Sequence, residues 1–393
     1  MPSRPRVALL IETSNSYGRD LLRGIQSWQR EHGPWALRLV EQGRGADVPR
    51  WLQDWPGQGI IARVEHAAIA QALLETGLPV VDVSAALARP PFPQVVTDSR
   101  AVIKLACAHF FERGFERIAY VGVPGFRWSE QRSRYLAEEL ERVRLPLHAF
   151  DGTGGSPEAD QAALARWLQQ LPKPIGVLAC YDVRGQHVLE ACHLGGLRVP
   201  DEVAVLGVHN DRLVCELCDP PLSSVEPDAR CAGALAAARL DALMRGDHDV
   251  AALTEVAPLG VVTRQSTDVV AVADSRLAAA VRYIRAHACE GVGVADVLRA
   301  VPMARTALER GFRSAFGCSP REMIERTRIE RVKRWLLETD ASVAEIAELT
   351  GFSHPEYMSV VFRRANGVAP REWRVARQRS REPAQYGRVE NRA

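Results

Sequence analysis

Two groups of side chains in this sequence are of types that could do chemistry. The first lies near the C-terminal end: Arg305, Thr306, Glu309, Arg310 and Arg313, then His354, Glu356, Ser359, Arg363 and Arg364. Short polar groups can meet base edges while guanidinium forks hold phosphates, so both sets suit the major groove of a duplex. The second group stands at the ends of apolar runs in the first two thirds: Ser14, Ser16 and Tyr17, then Trp128 and Arg132, then Asp182, then His209, Asn210 and Asp211. An indole face can stack on the C–H face of a polyhydroxylated ligand, and the guanidinium, carboxylate, amide and hydroxyl groups can pair with its hydroxyls. Each of these residues taken alone could be a turn or a cap. Their shared position at strand ends is what points to a site.

The cationic group rides on a unit that occurs twice. Residues 312–322 read F-R-S-A-F-G-C-S-P-R-E and residues 362–372 read F-R-R-A-N-G-V-A-P-R-E, identical at seven of eleven positions. Solenoids need three or more copies, so a pair confined to the last third is a tandem module inside one domain. Val294, Val297, Leu298 and Val301 precede a break at Pro302, and Leu308, Phe312 and Phe316 follow at helical spacing, which makes helix, turn, helix. In the second copy Ser342 and Glu345 have capping-box spacing and Val343, Ile346 and Leu349 share a face. Gly351 stops that helix, and Met358 and Phe362 stand where the first copy has Leu308 and Phe312. Residues 313–336, with Pro320 in a first turn, predict one long helix between the units. These paired units, with A-E-L-T-G-F-S-H-P-E-Y-M-S-V-V-F-R-R-A-N-G-V-A-P-R-E-W, resemble the AraC/XylS family of transcription regulators over residues 275–375. The resemblance implies two recognition helices in successive major grooves of double-stranded DNA, and RNA polymerase as a partner.

Ahead of this domain, residues 6–264 alternate short apolar strands with amphipathic helices. Strands are predicted at 7–11, 36–40, 59–62, 80–83, 118–121, 176–179 and 203–208. Helices are predicted at 17–30, 67–75, 98–113, 130–142, 158–171, 183–194 and 228–245. Such alternation means parallel sheets wound by helices, an α/β body of two lobes. Ligands of these folds bind where strands end and helices begin, which is where the second group stands. S-Y-G-R-D-L-L-R-G-I, V-V-T-D-S, G-F-E-R-I-A-Y-V-G, V-P-D-E-V-A-V-L-G-V and P-P-L-S-S-V-E-P-D occur in that order and resemble the sugar-binding domain of the LacI family, itself similar to periplasmic binding proteins. That resemblance makes Arg132 the effector-binding arginine, Asp182 a polar cleft residue and Tyr17 part of the cleft floor. Where the family has G-x-D-[DN], this chain has Gly207-Val208-His209-Asn210, so His209 replaces the effector-contacting aspartate and Asp211 stands nearby. The combination resembles the xylose-responsive members of the AraC/XylS family. It implies a homodimer that binds a monosaccharide, D-xylose favoured, and activates catabolic genes. His209 keeps open a DNA-binding regulator with a non-sugar effector or none.

Charge divides the chain in the same way. After residue 274 there are 22 Lys and Arg against 14 Asp and Glu, and before it 28 against 34, so a basic domain follows an acidic body. All but three of the 50 cations are arginine, so no arginine is informative by type alone. The expected division is an effector and dimerisation domain at 1–264, a linker at 265–274, an all-α DNA-binding domain at 275–379 and a tail at 380–393. No apolar run approaches the roughly 18 residues of a membrane span and the first residues lack a signal-peptide core, which predicts no membrane and a cytoplasmic protein. Of eight cysteines only Cys215 and Cys218 form C-x-x-C, with no second pair or nearby His, so neither metal nor cofactor is expected. G-x-S-x-G, a post-strand G-x-G-x-x-G and G-x-x-x-x-G-K-[ST] are all missing, D-G-T-G-G-S at 151–156 reads as a linking turn, and an enzyme is not expected.

Overall fold

Runs such as Val7 to Leu10 and Val203 to Val208 are buried along their whole length, as strands covered by helices on both faces must be. The computed structural model describes residues 4–40, 43, 47–87, 89–152, 154–247, 249–268, 275–339 and 341–374. The chain divides into two units, residues 1–268 and 269–393. The first unit starts with β1 (Arg6–Leu10), α1 (Ser16–His32), β2 (Ala36–Leu39), β3 (Gly59–Ala62), α2 (Ala67–Glu75), β4 (Val80–Asp82) and β5 (Gln94–Thr97). Past Asp98 it builds α3 (Ser99–Phe111), β6 (Ile118–Val121), α4 (Arg127–Arg142), β7 (His148–Phe150), α5 (Pro157–Gln170) and β8 (Ile175–Ala179). Then come α6 (Asp182–Leu194), β9 (Val203–Val208), α7 (Arg212–Leu217), β10 (Ser223–Glu226), α8 (Ala229–Met244), β11 (Leu253–Val256) and β12 (Gly260–Val262).

These strands form two six-stranded sheets, ordered β11-β5-β4-β3-β1-β2 and β12-β10-β9-β8-β6-β7, parallel except where β12 meets β10. Because α8 and β11 return to the first sheet and β12 to the second, the chain crosses between lobes three times. Parallel strands put all their carboxyl ends on one edge of each lobe. The helices that follow begin there. Close approach of α1 and α8 fixes the first lobe: a Cβ on Gly24 would sit 2.0 Å from the Arg230 carbonyl oxygen, and one on Gly233 would sit 2.1 Å from that of Leu21. Buried Asp82 ties the other side together, accepting from the backbone N–H of Val64 and Ser84 and from Gln94. Burial pushes its carboxyl up to about 6 against the pull of those donors.

Five short strands, β5, β7, β10, β11 and β12, were not marked by the alternation. Each spans three or four residues, and sequences such as Ser-Ser-Val-Glu carry no apolar run to announce them. The linker was expected from residue 265. Instead Gln265–Thr267 forms a 3-10 turn with Ser266 and Thr267 fully buried in the second lobe. Ser266 Oγ donates to the Val205 carbonyl, and Thr267 Oγ1 bonds both Ser223 Oγ and His109 Nε2. Polar side chains at 265–268 therefore belong to the body, whereas 269–274 and the expected tail lie outside the described residues.

The second unit is all helical: α9 (Ser275–His287), α10 (Val294–Ala300), α11 (Arg305–Phe316), α12 (Pro320–Glu338), α13 (Val343–Leu349) and α14 (Pro355–Asn366). It has two cores. Leu277, Val281, Ile284, Val297, Leu308, Phe312 and Ile324 form one, and Ile329, Val332, Leu336, Ile346, Phe352, Met358, Phe362 and Trp373 the other. The capping box at Ser342 and Glu345 is formed, with a second at Ser319 and Glu322. That second cap corrects the single helix expected over 313–336. Gly317 adopts φ 62°, which ends α11 at Phe316, and Ser319-Pro320 restarts the chain as α12. Among the described residues no helix is long and apolar enough to cross a membrane.

Candidate functional site

The strand ends of the two lobes meet across a cleft lined by aromatic rings. Asn15 caps α1 by accepting from the Gly18 N–H, which aims Tyr17 inward, where its hydroxyl bonds Thr97 Oγ1 at 3.2 Å. Its ring lies 5.2 Å from that of His209 in the second lobe, His209 lies 6.5 Å from Tyr181, and Tyr181 meets Trp128 edge-on at 5.9 Å. A guanidinium sits at each end of this row, Arg63 at 5.7 Å over Tyr17 and Arg132 at 5.6 Å over Trp128. Arg63 is held by Glu65 at 3.0 Å. Arg132 is only 5% exposed, donates from Nη1 to the Cys180 carbonyl at 2.5 Å, and has a buried Nε with no hydrogen-bond partner among the described residues. Burial lowers its pKa, opposed by Tyr120, Cys180, Tyr17 and Asp182. Ser16 likewise has a buried, unbonded hydroxyl. Stacking faces with unengaged donors between them are what a small polyhydroxylated ligand requires.

The acidic residues expected in the cleft are engaged elsewhere. Asp182 accepts from Ser224 Oγ at 2.5 Å and from the Asp211 backbone N–H at 2.6 Å, which uses both its oxygens to shape the loop after β9. In that loop His209 and Asn210 take φ of 107° and 50°, strained values for residues with side chains. Asn210 accepts from Arg264. Asp211 accepts the Ser16 backbone N–H at 3.0 Å and lies 3.8 Å from Arg19, so it joins the second lobe to the N-terminus of α1. Arg63 and Tyr181 were missed from the sequence, although they follow β3 and β8 and the strand-end rule would have found them.

Burial pushes the Asp182 carboxyl up to about 7, with the Ser224 and Asp211 donors pulling the other way. Because the folded pKa is raised, the native state holds a proton that the unfolded chain releases from about pH 4 upward. The Asp182 contribution is thus complete below that pH and is lost as pH rises through about 7. Asp182→Asn is expected to be less stable than the parent at pH 5, having lost one accepted bond, and to close most of that gap by pH 8. Thermal unfolding at both values checks the sign. A gap that widens with pH would contradict it.

In the second unit the expected polar residues do face outward. Arg305, Thr306, Arg310, Arg313, His354, Glu356, Arg363 and Arg364 are exposed, and Glu309 and Ser359 half-buried. Arg305 pairs with Glu309 at 3.1 Å along α11, and Arg364 reaches Glu325 on α12 at 2.9 Å. Ser359 bonds back to the Pro355 carbonyl, so the outward middle of α14 is presented by Val360, 64% exposed, which sequence reasoning passed over as apolar.

Burial raises the Cys107 and Cys192 thiols to about 12 and Cys218 to about 11, far from the thiolate range of a redox or metal site. Among the described residues no His, Cys, Asp and Glu cluster could hold a metal.

Comparison with known proteins matches three family models in order: a XylR N-terminal domain at 6–100, a periplasmic binding protein-like domain at 107–267 and a helix-turn-helix domain at 297–376. The xylose operon regulatory protein of Escherichia coli K12 is 32% identical over 382 residues, 94% of this chain and 97% of its own length. The chain belongs to the xylose operon regulatory protein family. The Haemophilus influenzae member of that family is 29% identical over 94% of this chain and 98% of its own. A solved structure described as the xylose-binding transcription activator XylR aligns at TM-score 0.65 and 29% identity, covering 95% of this chain and 99% of that one. Like the rest of the family, this chain is a DNA-binding transcription regulator of the AraC/XylS type, with a periplasmic-binding-like α/β body ahead of paired helix-turn-helix units.

Proposed function

We propose that this regulator binds D-xylose between its lobes and, as a homodimer, recruits RNA polymerase to sugar-catabolic genes in the cytoplasm. The single observation that carries the sugar reading is Arg132, a buried guanidinium with an unbonded Nε beside the Trp128 indole. Tyr17, Arg63, Tyr181 and the Ser16 hydroxyl complete the effector site in this reading. His209 serves it as a stacking wall in place of the aspartate common among LacI-like domains, while Asp182, Asn210 and Asp211 hold the wall in place. The names of the full-length relatives favour xylose over other monosaccharides. The same reading assigns effector binding and dimerisation to the first unit. Base edges and phosphates fall to Arg305, Thr306, Glu309, Arg310, Arg313, His354, Glu356, Ser359, Arg363 and Arg364, and Val360 offers an apolar contact to a thymine methyl.

Effector occupancy acts on DNA binding only through unequal affinity for two arrangements of the protein. The test is calorimetric unfolding against pentoses, hexoses and purines. D-xylose at a hundred times its dissociation constant should stabilise the first unit by about 2.7 kcal/mol, which raises its transition by several degrees. A shift with a different sugar would keep the cleft and change the pathway. No shift with any compound would overturn effector control.

A further inference from the structure

One face of α12 carries Arg321, Glu325 and Arg328 at helical i, i+4, i+7 spacing, and through the last two it touches both helix-turn-helix units. Arg328 Nε donates to the Ala288 carbonyl at 2.7 Å and its Nη2 to the Val292 carbonyl at 2.9 Å, both in the turn between α9 and α10. The same guanidinium lies 5.6 Å over the ring of Phe352, which is buried in the second core. A turn earlier, Glu325 accepts from the Tyr357 hydroxyl and from Arg364, both on α14 and both at 2.9 Å. Phe352 and Tyr357 meet edge-on at 6.1 Å, which joins the two grips into one network. A second contact lies beside it. A Cβ on Gly351 would come within 2.6 Å of the Cys289 carbonyl oxygen and 2.9 Å of the Gly291 nitrogen, so the second unit's turn rests directly on the first unit's backbone.

From this geometry we infer that Arg328 is a positioning residue that locks the two recognition helices at one separation and phase, so that the protein reads only half-boxes set at one spacing. Beyond Arg328 the two cores are joined by α12, by the Glu325 grip on α14 and by the Gly351 turn resting on residues 289–291, and of these Arg328 alone holds carbonyls of the first unit with a charged side chain while it lies over an aromatic of the second. With Arg328 spanning two carbonyls of one unit and an aromatic of the other, rocking of one core against the other would break two charge-assisted hydrogen bonds at half-buried carbonyls. Mismatched spacing must then be met by the DNA. One extra base pair turns a half-box by about 35° and moves it by about 3.4 Å, since a helical turn takes roughly 10 pairs over 34–36 Å.

The experiment selects a two-box duplex from a random pool with the full-length protein, then compares that duplex, a version with one base pair inserted between boxes, and a single box. For the parent the insertion should cost at least about tenfold in affinity, each tenfold being about 1.4 kcal/mol. Arg328→Ala should bind the selected duplex several-fold more weakly and lose threefold or less on insertion, with its single-box affinity unchanged. Arg328→Gln keeps a donor for one carbonyl and should fall between the two. An insertion penalty as large as the parent's in both variants would overturn the inference. So would a loss on the single box equal to the loss on the selected duplex, which would mean a folding role alone.

Discussion

Arg132→Met should abolish effector-induced stabilisation and weaken effector binding at least a hundredfold, yet leave the ligand-free body as stable as the parent or more so. The two halves of this expectation have one cause. Arg132 is buried, its pKa is lowered by that burial, and among the described residues its Nη1 donates to the Cys180 carbonyl while its Nε has no hydrogen-bond partner. Asp182, expected as a polar cleft residue, gives both oxygens to Ser224 and Asp211. A buried cation so poorly compensated costs free energy in the unliganded fold, and a methionine of similar length removes that cost while it fills the space. Once a sugar hydroxyl or ring oxygen accepts from Nε and a free amino hydrogen, two charge-assisted bonds form, each contributing about 1.5–3 kcal/mol. Their joint loss is about 3–6 kcal/mol, a factor of a hundred or more. Titration calorimetry with the sugar that stabilises the parent, alongside unfolding of the unliganded variant, reads both halves. A variant that binds normally removes Arg132 from the site. One that is several kcal/mol less stable without ligand makes it a structural residue.

What could be read from sequence follows what each kind of residue signals locally. Fully buried runs such as those of β3, β6 and β9 declared themselves with their bounds, because a central parallel strand is apolar on both faces. The edge and return strands β7, β11 and β12 are short and only partly buried, and the five strands absent from the pattern span three or four residues each with neither a long apolar run nor a polar–apolar alternation to announce them. In the DNA-binding unit the caps at Ser342 and Gly351 were legible, since capping is chemistry within four residues. Gly317 was legible in principle, but helix periodicity on both sides of it concealed the stop. At the cleft, position was readable and partnership was not. Strand-end logic put Tyr17 on the carboxyl edge of one sheet and Trp128, Arg132 and His209 on that of the other, and the structure brings these edges face to face. It could not tell that Asp182 faces Ser224, 42 residues away, or that Asp211 faces Ser16 across 195. Val360 was left out of the expected interface for the same reason, because its exposure beside half-buried Ser359 is decided by helix phase and not by residue type.

Gly233→Ala should cost the first unit roughly 4 kcal/mol or more, against a helix propensity that favours alanine over glycine by about 1 kcal/mol. The opposing term is the 2.1 Å approach of a Cβ to the Leu21 carbonyl oxygen, with the Leu21 carbonyl carbon at 2.8 Å. Both are backbone atoms of α1, so no rotamer change relieves the contact and the helices themselves must part. Gly24 makes the reciprocal approach to Arg230, so parting opens that contact too. The consequence reaches the cleft, because α1 carries Ser16, Tyr17 and Arg19 at its start, and moving α1 displaces Tyr17 from His209 and Ser16 from Asp211. For a unit of this size each kcal/mol lowers the midpoint by about 2–4 °C, so the first transition should fall by about 10 °C and its sugar response should weaken with it. The helix-turn-helix unit has its own cores and should unfold at the parent's temperature. Gly233→Val, which adds two methyls at the same contact, should lose more than Gly233→Ala. A neutral or stabilised alanine variant would show that propensity decides at this position, and that the spacing of α1 and α8 is not set by their glycines.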